Sequence, residues 1–335
     1  MLKVGIIGLG MMGRTHYEAY QKIEGAEVVA IADSDPKRAA GDLAGTGGNV
    51  LQGGLARLPM DKIKGMQDYR QLLAMKELDI IDICTRTPQH AQMTVEALAT
   101  GKHVLCEKPL GRTAAEARQM TDAADKAKGF FMPAMCIRFW PEWAWAKDAV
   151  KSGRYGKVLG AHFRRVASFP GGWYKDGDAS GGALLDLHIH DSDFVYYLFG
   201  MPKGVYSRGY NKPTNQIDHV VTQYLYDNGP VVMAEGSWAL ADGYGFTMRY
   251  TINFEKATAD YDLGRPDTLL LIQDGKSQPI RTQGGTGYEA ELGYFVNCVR
   301  KGEKPSVVNA SDALPGLKIV EAEGKSIREG LAVSL

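Results

Sequence analysis

The chain lacks most of what marks a nucleic-acid or membrane protein. Lys and Arg number 39, Asp and Glu 39, and the formal net charge over 335 residues is zero. No basic field is present to gather nucleic acid, and no acidic tail. No apolar run approaches the ~20 residues that a membrane helix needs. Cysteine is scarce at four residues, Cys84, Cys106, Cys136 and Cys298, without metal-type spacing. Three of them sit in or beside apolar runs, where a free thiol behaves as a small buried hydrophobe. No internal repeat or low-complexity tract occurs. The N-terminus enters an apolar run at once, Leu2-Lys3-Val4-Gly5-Ile6-Ile7, with no signal peptide ahead of it. The expected setting is therefore a reducing, cytoplasmic one.

What is present is ordinary globular material, 44% hydrophobic and 23% charged. That length most simply makes two domains, each with its own core. Apolar runs at 2–7, 27–32, 79–84, 103–106 and 130–134 show little alternation, as strands of a parallel sheet covered on both faces do. Helical stretches at 12–22, 36–44, 68–76, 88–100 and 112–128 intervene. The pattern predicts an α/β fold: a doubly wound Rossmann domain over residues 1–135. A glycine-rich stretch from Gly41 to Gly65 interrupts it as a long loop. After a helix at 141–152 the character changes. Strands are expected at 156–168, 203–210, 217–226, 231–238, 246–253 and 257–262, with a helix at 183–199 among them. Helices at 288–301 and 311–329 follow, free to pack back on the first domain. Residues 136–335 thus read as an α+β substrate-binding and oligomerisation domain on a large, mainly antiparallel sheet.

Gly8-Leu9-Gly10-Met11-Met12-Gly13 follows the first strand and opens a helix. In a dinucleotide fingerprint, the first glycine permits the tight turn and the second lets backbone approach the pyrophosphate. The third brings helix against strand, and the helix N-terminus faces the phosphates. Asp33 closes the second strand about 20 residues on, where a carboxylate accepts from the ribose 2′-OH and repels a 2′-phosphate. The expected cofactor is NAD rather than NADP, with Arg38 as the nearby cation that softens the preference. Two further pieces follow: Glu107-Lys108-Pro109 at the end of the 103–106 strand, and the Asp186-x-x-x-His190 pair. Together they specify a redox site: a nicotinamide, a cation beside it and a proton acceptor.

The chain resembles the glucose-fructose oxidoreductase / inositol dehydrogenase / MocA-like family across essentially its whole length. The resemblance rests on Gly8 to Gly13, Cys84-Thr85 with His90-Ala91, Ala97 to Val104, and Glu107-Lys108-Pro109. It continues through Arg138-Phe139, Gly153-x-x-Gly156-Lys157 and Gly181-Gly182-x-x-x-Asp186-x-x-x-His190-Asp191. One departure is Thr85-Arg86-Thr87, where the family often has Thr-Pro-Asn. The resemblance implies an NAD(P)-dependent oxidoreductase in which Met11, Met12, Thr85 and His90 contact cofactor. It makes Lys108 the cation that stabilises a developing alkoxide, often beside a cis-proline. Glu107 then serves the cofactor or positions the lysine. His190 is the base that takes the hydroxyl proton, and Asp186, which on one continuous helix would lie roughly 40° from it, supports it or contacts the substrate; Lys108, Asp186 and His190 all line the substrate.

His188 points elsewhere on such a helix, to pack locally or to help select substrate. Trp173 and Tyr174, in a glycine-rich loop, are expected to contact substrate. Arg138 is either a guanidinium fork for substrate or an ordinary salt bridge. Trp143 and Trp145 read as packing residues. No metal is expected, since no His-x-x-His or Glu-x-x-His pair is present and an ammonium would compete with the ion. The expected reaction is hydride transfer with a ring hydroxyl of a sugar or cyclic polyol. A glycosidase or lyase that oxidises, eliminates and returns hydride to retained NAD is the alternative. A dinucleotide-sensing regulator without catalysis is the third reading. The face of the antiparallel sheet needs cover, which predicts a homodimer or homotetramer.

Overall fold

The computed structural model describes residues 1–46 and 54–335. Long apolar runs alternate with helices through its first third: β1 (Leu2–Ile7), α1 (Met11–Tyr20), β2 (Ala26–Ala32), α2 (Pro36–Ala39), β3 (Lys64–Met66) and α3 (Tyr69–Leu73). β4 (Ile80–Ile83), α4 (His90–Ala99), β5 (His103–Glu107), α5 (Ala114–Ala124) and β6 (Phe131–Ala134) complete it. Val4, Ile6, Ile31, Ile80, Ile81, Val104 and Leu105 are fully enclosed, as strands covered on both faces must be. Each such side chain removed from water contributes about 1.5–3 kcal/mol. The six strands run parallel in the order β3-β2-β1-β4-β5-β6. That order reverses direction between β1 and β4, the switch point where open α/β sheets bind ligands beyond their strand ends.

The next elements are α6 (Pro141–Ser152), β7 (Val158–Ser168), α7 (Gly177–Ser180), α8 (Gly182–Asp186) and α9 (Ile189–Phe199). β8 (Gly204–Tyr210), β9 (His219–Leu225), β10 (Val231–Leu240), β11 (Phe246–Phe254) and β12 (Thr258–Asp262) form a meander-rich run. β13 (Leu269–Gln273), β14 (Lys276–Pro279), α10 (Gly287–Lys301), α11 (Ala313–Glu329) and β15 (Val333–Ser334) end the chain. Nine strands form a second sheet, β14-β13-β12-β11-β7-β10-β9-β8-β15, antiparallel except where β10 pairs with β7. Its helix-covered core centres on Trp143 of α6, which is fully buried. Phe194 and Tyr250 meet that indole edge-on at 4.8 and 5.2 Å.

The chain divides into two compact units, Met1–Phe139 with Gly285–Ala313, and Trp140–Gly284 with Leu314–Leu335. α10 therefore belongs to the first unit and α11 to the second. α10 begins at a capping box in which Thr286 and Glu289 bond each other's amides, and ends at left-handed Gly302.

Several local expectations are corrected. The helix expected over 36–44 stops at Ala39, before Gly41 turns left-handed at φ +83. The long loop to residue 65 ends in a short strand, β3; its segment 47–53 lies outside the described residues. The single helix expected over 183–199 is two, α8 and α9, because the amides of Leu187 and His188 both reach back to the Ala183 carbonyl, at 3.0 and 2.8 Å. The β13–β14 hairpin was not anticipated.

Candidate active site

The fingerprint glycines occupy three different situations, and each matches a physical demand. Gly8, directly after β1, has φ +92, which costs a side chain that glycine lacks. A Cβ on Gly13 would stand 1.9 Å from the Gly8 carbonyl oxygen, so α1 packs on the β1 turn only with glycine there. A Cβ on Gly10 would meet nothing within 4 Å. That open cradle sits at the N-terminus of α1, which has no side-chain cap and no acidic residue in its first turn. Unpaired amides and the positive end of the helix dipole face it, as a pyrophosphate requires. Met11 and Met12 flank the cradle, half-buried. The residues present fit NAD.

Asp33 lies just beyond β2 and is buried. Its Oδ2 accepts from the Leu9 amide at 2.8 Å and from Arg38 Nε at 2.9 Å. Its Oδ1 accepts from the Asp35 amide and Arg38 Nη2, both at 2.9 Å. The carboxylate thus steadies the fingerprint turn while a guanidinium fork neutralises it.

Beyond β4, Thr85 is half-buried and His90 is 1% exposed. His90 Nδ1 lies 2.8 Å from the Pro109 carbonyl oxygen and Nε2 2.9 Å from that of Thr85. The ring therefore braces two loops at neighbouring strand ends, and burial lowers its pKa. Glu107 and Lys108 leave β5. The Lys108–Pro109 bond is cis. Glu107 is buried, and its Oε2 accepts from the Lys108 amide at 3.0 Å. The Lys108 side chain is half-buried. Two strand spacings of ~4.8 Å separate β1 from β5, so glycine cradle and lysine share one end of the sheet.

Arg138 is only 3% exposed, and Nη1 donates to the Val307 carbonyl at 3.0 Å with Asp312 at 3.4 Å.

In the second unit Asp186 is the last residue of α8 and His190 the second of α9, so they flank a helix break rather than share one continuous face. Both are half-buried, whereas Leu185, His188 and Ile189 around them are buried. His188 is fully enclosed, with Nε2 3.4 Å from Glu323 Oε1 and 3.4 Å from the Tyr224 hydroxyl. Its packing role is the one the structure shows. Asp191 takes Arg165 bidentately, at 2.8 and 3.2 Å, deep in the same core. Trp173 and Tyr174 lie partly exposed in a short 3-10 turn, rings 4.4 Å apart, with Tyr174 edge-on to Trp238.

Two residues that sequence reasoning passed over, His16 and Asp82, join Cys84 beneath the α1 turn. His16, Asp82 and Cys84 are buried together, their ligand-capable atoms within 4.8 Å of one another. Among the described residues this is the grouping that converges as metal ligands do, and it includes none of Lys108, Asp186 and His190. A signal existed: an aspartate in the middle of Ile80-Ile81-Asp82-Ile83 is a charge inside a doubly covered strand, which needs a partner.

A glycine-lined, uncapped helix end at the switch point of a parallel sheet, with a lysine at the same end of that sheet two strands away, defines a dinucleotide-binding oxidoreductase. The family described as "Oxidoreductase family, NAD-binding Rossmann fold" matches residues 2–135, and the GFO/IDH/MocA C-terminal domain matches 143–260. The chain belongs to this GFO/IDH/MocA family and is an NAD-dependent oxidoreductase. It is 26% identical to the inositol 2-dehydrogenase of Rubrobacter xylanophilus over 98% of this chain and 92% of that one. It is likewise 26% identical to the myo-inositol 2-dehydrogenase of Thermotoga maritima, over 100% and 98% of the two chains. Among solved structures, levoglucosan dehydrogenase in complex with NADH and levoglucosan superposes with TM-score 0.85 at 24% identity, covering 100% of this chain and 99% of that one. That likeness shows a shared fold. No described helix is long and apolar enough to cross a membrane.

Proposed function

We propose that the protein oxidises a ring hydroxyl of a sugar or cyclic polyol, in the manner of the inositol dehydrogenases it is similar to. One observation carries the reading: the open glycine cradle and Lys108 occupy carboxyl ends of strands in one parallel sheet. When bound, NAD supplies the hydride acceptor. Lys108 offers a cation to the substrate oxygen and stabilises charge as the alkoxide develops. His190, half-exposed at the start of α9, accepts the hydroxyl proton, and Asp186 orients and supports that base. Trp173 and Tyr174 present ring faces that suit the C–H faces of a sugar ring. Met11, Met12, Thr85 and Asp33 serve the cofactor, with Arg38 moderating Asp33 and Glu107 holding the lysine segment.

Four buried cysteines that form no disulfide among the described residues suit the cytoplasm, where thiols stay reduced. Val231 is 66% exposed, Met233 38% and Leu159 50% on the second sheet, an apolar surface that suits pairing with another copy of this chain.

The test incubates the protein with NAD and a panel of polyols, sugars and glycosides, following NADH by absorbance and products by mass. Net NADH with a ketone product is expected. Glycoside cleavage without NADH would replace this reading with the retained-NAD elimination, and NAD binding without any product would replace it with a sensor.

A further inference from the structure

The buried face of α1 holds charge that the proposed chemistry leaves unused. His16 is fully enclosed. Its Nδ1 lies 2.9 Å from Asp82 Oδ2 and 3.3 Å from Cys84 Sγ. Its Nε2 lies 3.0 Å from Glu107 Oε1, an ion-pair contact. Asp82 is fully enclosed and Glu107 is 4% exposed. Two buried carboxylates this close to one ring are costly unless a cation lies between them. An imidazolium gives one N–H to Asp82 and sets its positive Nε2 side against Glu107, as an ion pair that does not meet hydrogen-bond alignment.

The surroundings agree. Burial opposes charge on His16, but Asp82 and Cys84 outweigh it and hold the ring well above the usual histidine pKa. Burial would lift Glu107, yet the His16 contact, with Lys108 and His90, pulls it below the ordinary carboxylate value. Tyr20 on α1 itself is raised by burial and Asp82, and Tyr288 of α10 by burial and Cys136. From α10 comes Glu291, whose two oxygens have no hydrogen-bond partner among the described residues. Burial and then Glu107 raise its pKa well above the ordinary carboxylate value, which disfavours a third negative charge beside the pair.

The other Glu107 oxygen accepts from the Lys108 amide. We propose that His16 is a positioning residue: held between Asp82 and Glu107, it fixes the Glu107 carboxylate on the Lys108 backbone and so aims the Lys108 side chain. The proposal rests on Lys108 acting at the substrate oxygen, as proposed above. It couples the cofactor helix to the lysine through one side chain, with no substrate contact of its own. A metal in place of the proton fits less well. The 2.9 Å from Nδ1 to Oδ2 is a hydrogen-bond spacing, whereas two atoms bound tetrahedrally to one zinc at ~2 Å stand ~3.3 Å apart.

The experiment compares the wild type with His16→Gln, Glu107→Gln and the double variant. It reads single-turnover NADH formation, NAD affinity by titration, and amide exchange over residues 103–110. His16→Gln is expected to slow the chemical step about 10²-fold while NAD affinity stays within about threefold. The Lys108 amide should exchange at least roughly tenfold faster, and the double variant should be no slower than the slower single. Four outcomes overturn the proposal: an unchanged rate, a slowed rate with unchanged exchange, a loss of NAD affinity that accounts for the rate, or additive effects. Exchange is read without substrate. If the wild type forms no NADH with any panel compound, the proposed reaction falls, and the His16 linkage is still decided by exchange. If His16→Gln does not fold, nitrogen NMR of the wild-type ring decides: two protonated nitrogens at neutral pH are expected, and one overturns the proposal. A stoichiometric zinc lost in Cys84→Ser would overturn it too.

Discussion

At the scale of single residues, Asp33 serves two masters. Its four lone-pair positions are occupied by two backbone amides and the two nitrogens of Arg38. A ribose hydroxyl must therefore displace or share one of them, and a 2′-phosphate meets a carboxylate already half neutralised. NAD should still bind at least about tenfold tighter than NADP, because a carboxylate beside that phosphate costs more than ~1.4 kcal/mol. Arg38→Ala should widen the gap by baring the carboxylate, and Asp33→Ala should narrow it. Equal affinities in the wild type, measured by titration, would show that Arg38 governs the choice. For the chemical step, Lys108→Ala and His190→Ala should each lower single-turnover rates about 10²- to 10⁴-fold with NAD affinity nearly unchanged. Asp186→Asn should be milder, and less than additive with His190→Ala. Glu291 supplies a pH test of stability. Its folded pKa lies well above its unfolded one, so the fold holds a proton that the unfolded chain releases. Its contribution is therefore lost as pH rises above the unfolded value. Glu291→Gln, neutral at every pH, should gain thermal midpoint over the wild type progressively as pH rises above the ordinary carboxylate range. A gain independent of pH would count against a buried protonated acid.

At the scale of elements, one side chain anchors the break between α8 and α9. His188 is held by Glu323 of α11 and by Tyr224 of β9, and its ring lies over Gly236 of β10. A Cβ on Gly236 would come 2.5 Å from His188 Nδ1. Gly236→Ala should thus cost about 1–3 kcal/mol in denaturant unfolding, because an enclosed ring has nowhere to move. Glu323→Ala should cost about 3–5 kcal/mol, since it also strips Ser192 of the acceptor it reaches at 3.1 Å. An unfolding midpoint as high as that of the wild type in both variants would mean the network does not anchor the helix pair. The β13–β14 hairpin was legible by its own local chemistry. Asp274 and Gly275 take φ +52 and +71, the left-handed pair of a two-residue hairpin turn, and Asp-Gly is the strongest short-range signal for one.

At the scale of the whole molecule, the second sheet sets the expected assembly. On its exposed face Met233 stands beside His162 of β7 and Gln223 of β9, with Tyr206 of β8 opposite Gln223. Mixed apolar and polar rows of that kind suit an interface between copies. Light scattering at micromolar concentration should give a dimer or tetramer mass, and Val231→Asp with Met233→Asp should shift it toward monomer. A monomeric wild type would leave that face without its proposed partner.

What the chain's own sequence determined is local. The fingerprint, the parallel strands and the Glu107-Lys108 strand end are legible because they rest on short-range effects: glycine's freedom at positive φ, and unbroken apolar runs that only a doubly covered sheet can bury. NAD-dependent oxidoreductase chemistry follows from those pieces. The tertiary structure alone decided the rest. It split the helix at His188, gave Arg138 to the Val307 carbonyl and Asp312, and brought α10 to the first unit. It also placed His16 of α1 between carboxylates from two strands, 66 residues away at Asp82 and farther still at Glu107. The Arg138 and His16 outcomes are contests between burying a charge and finding it a partner, and that partner lies far along the chain, where no local pattern can name it.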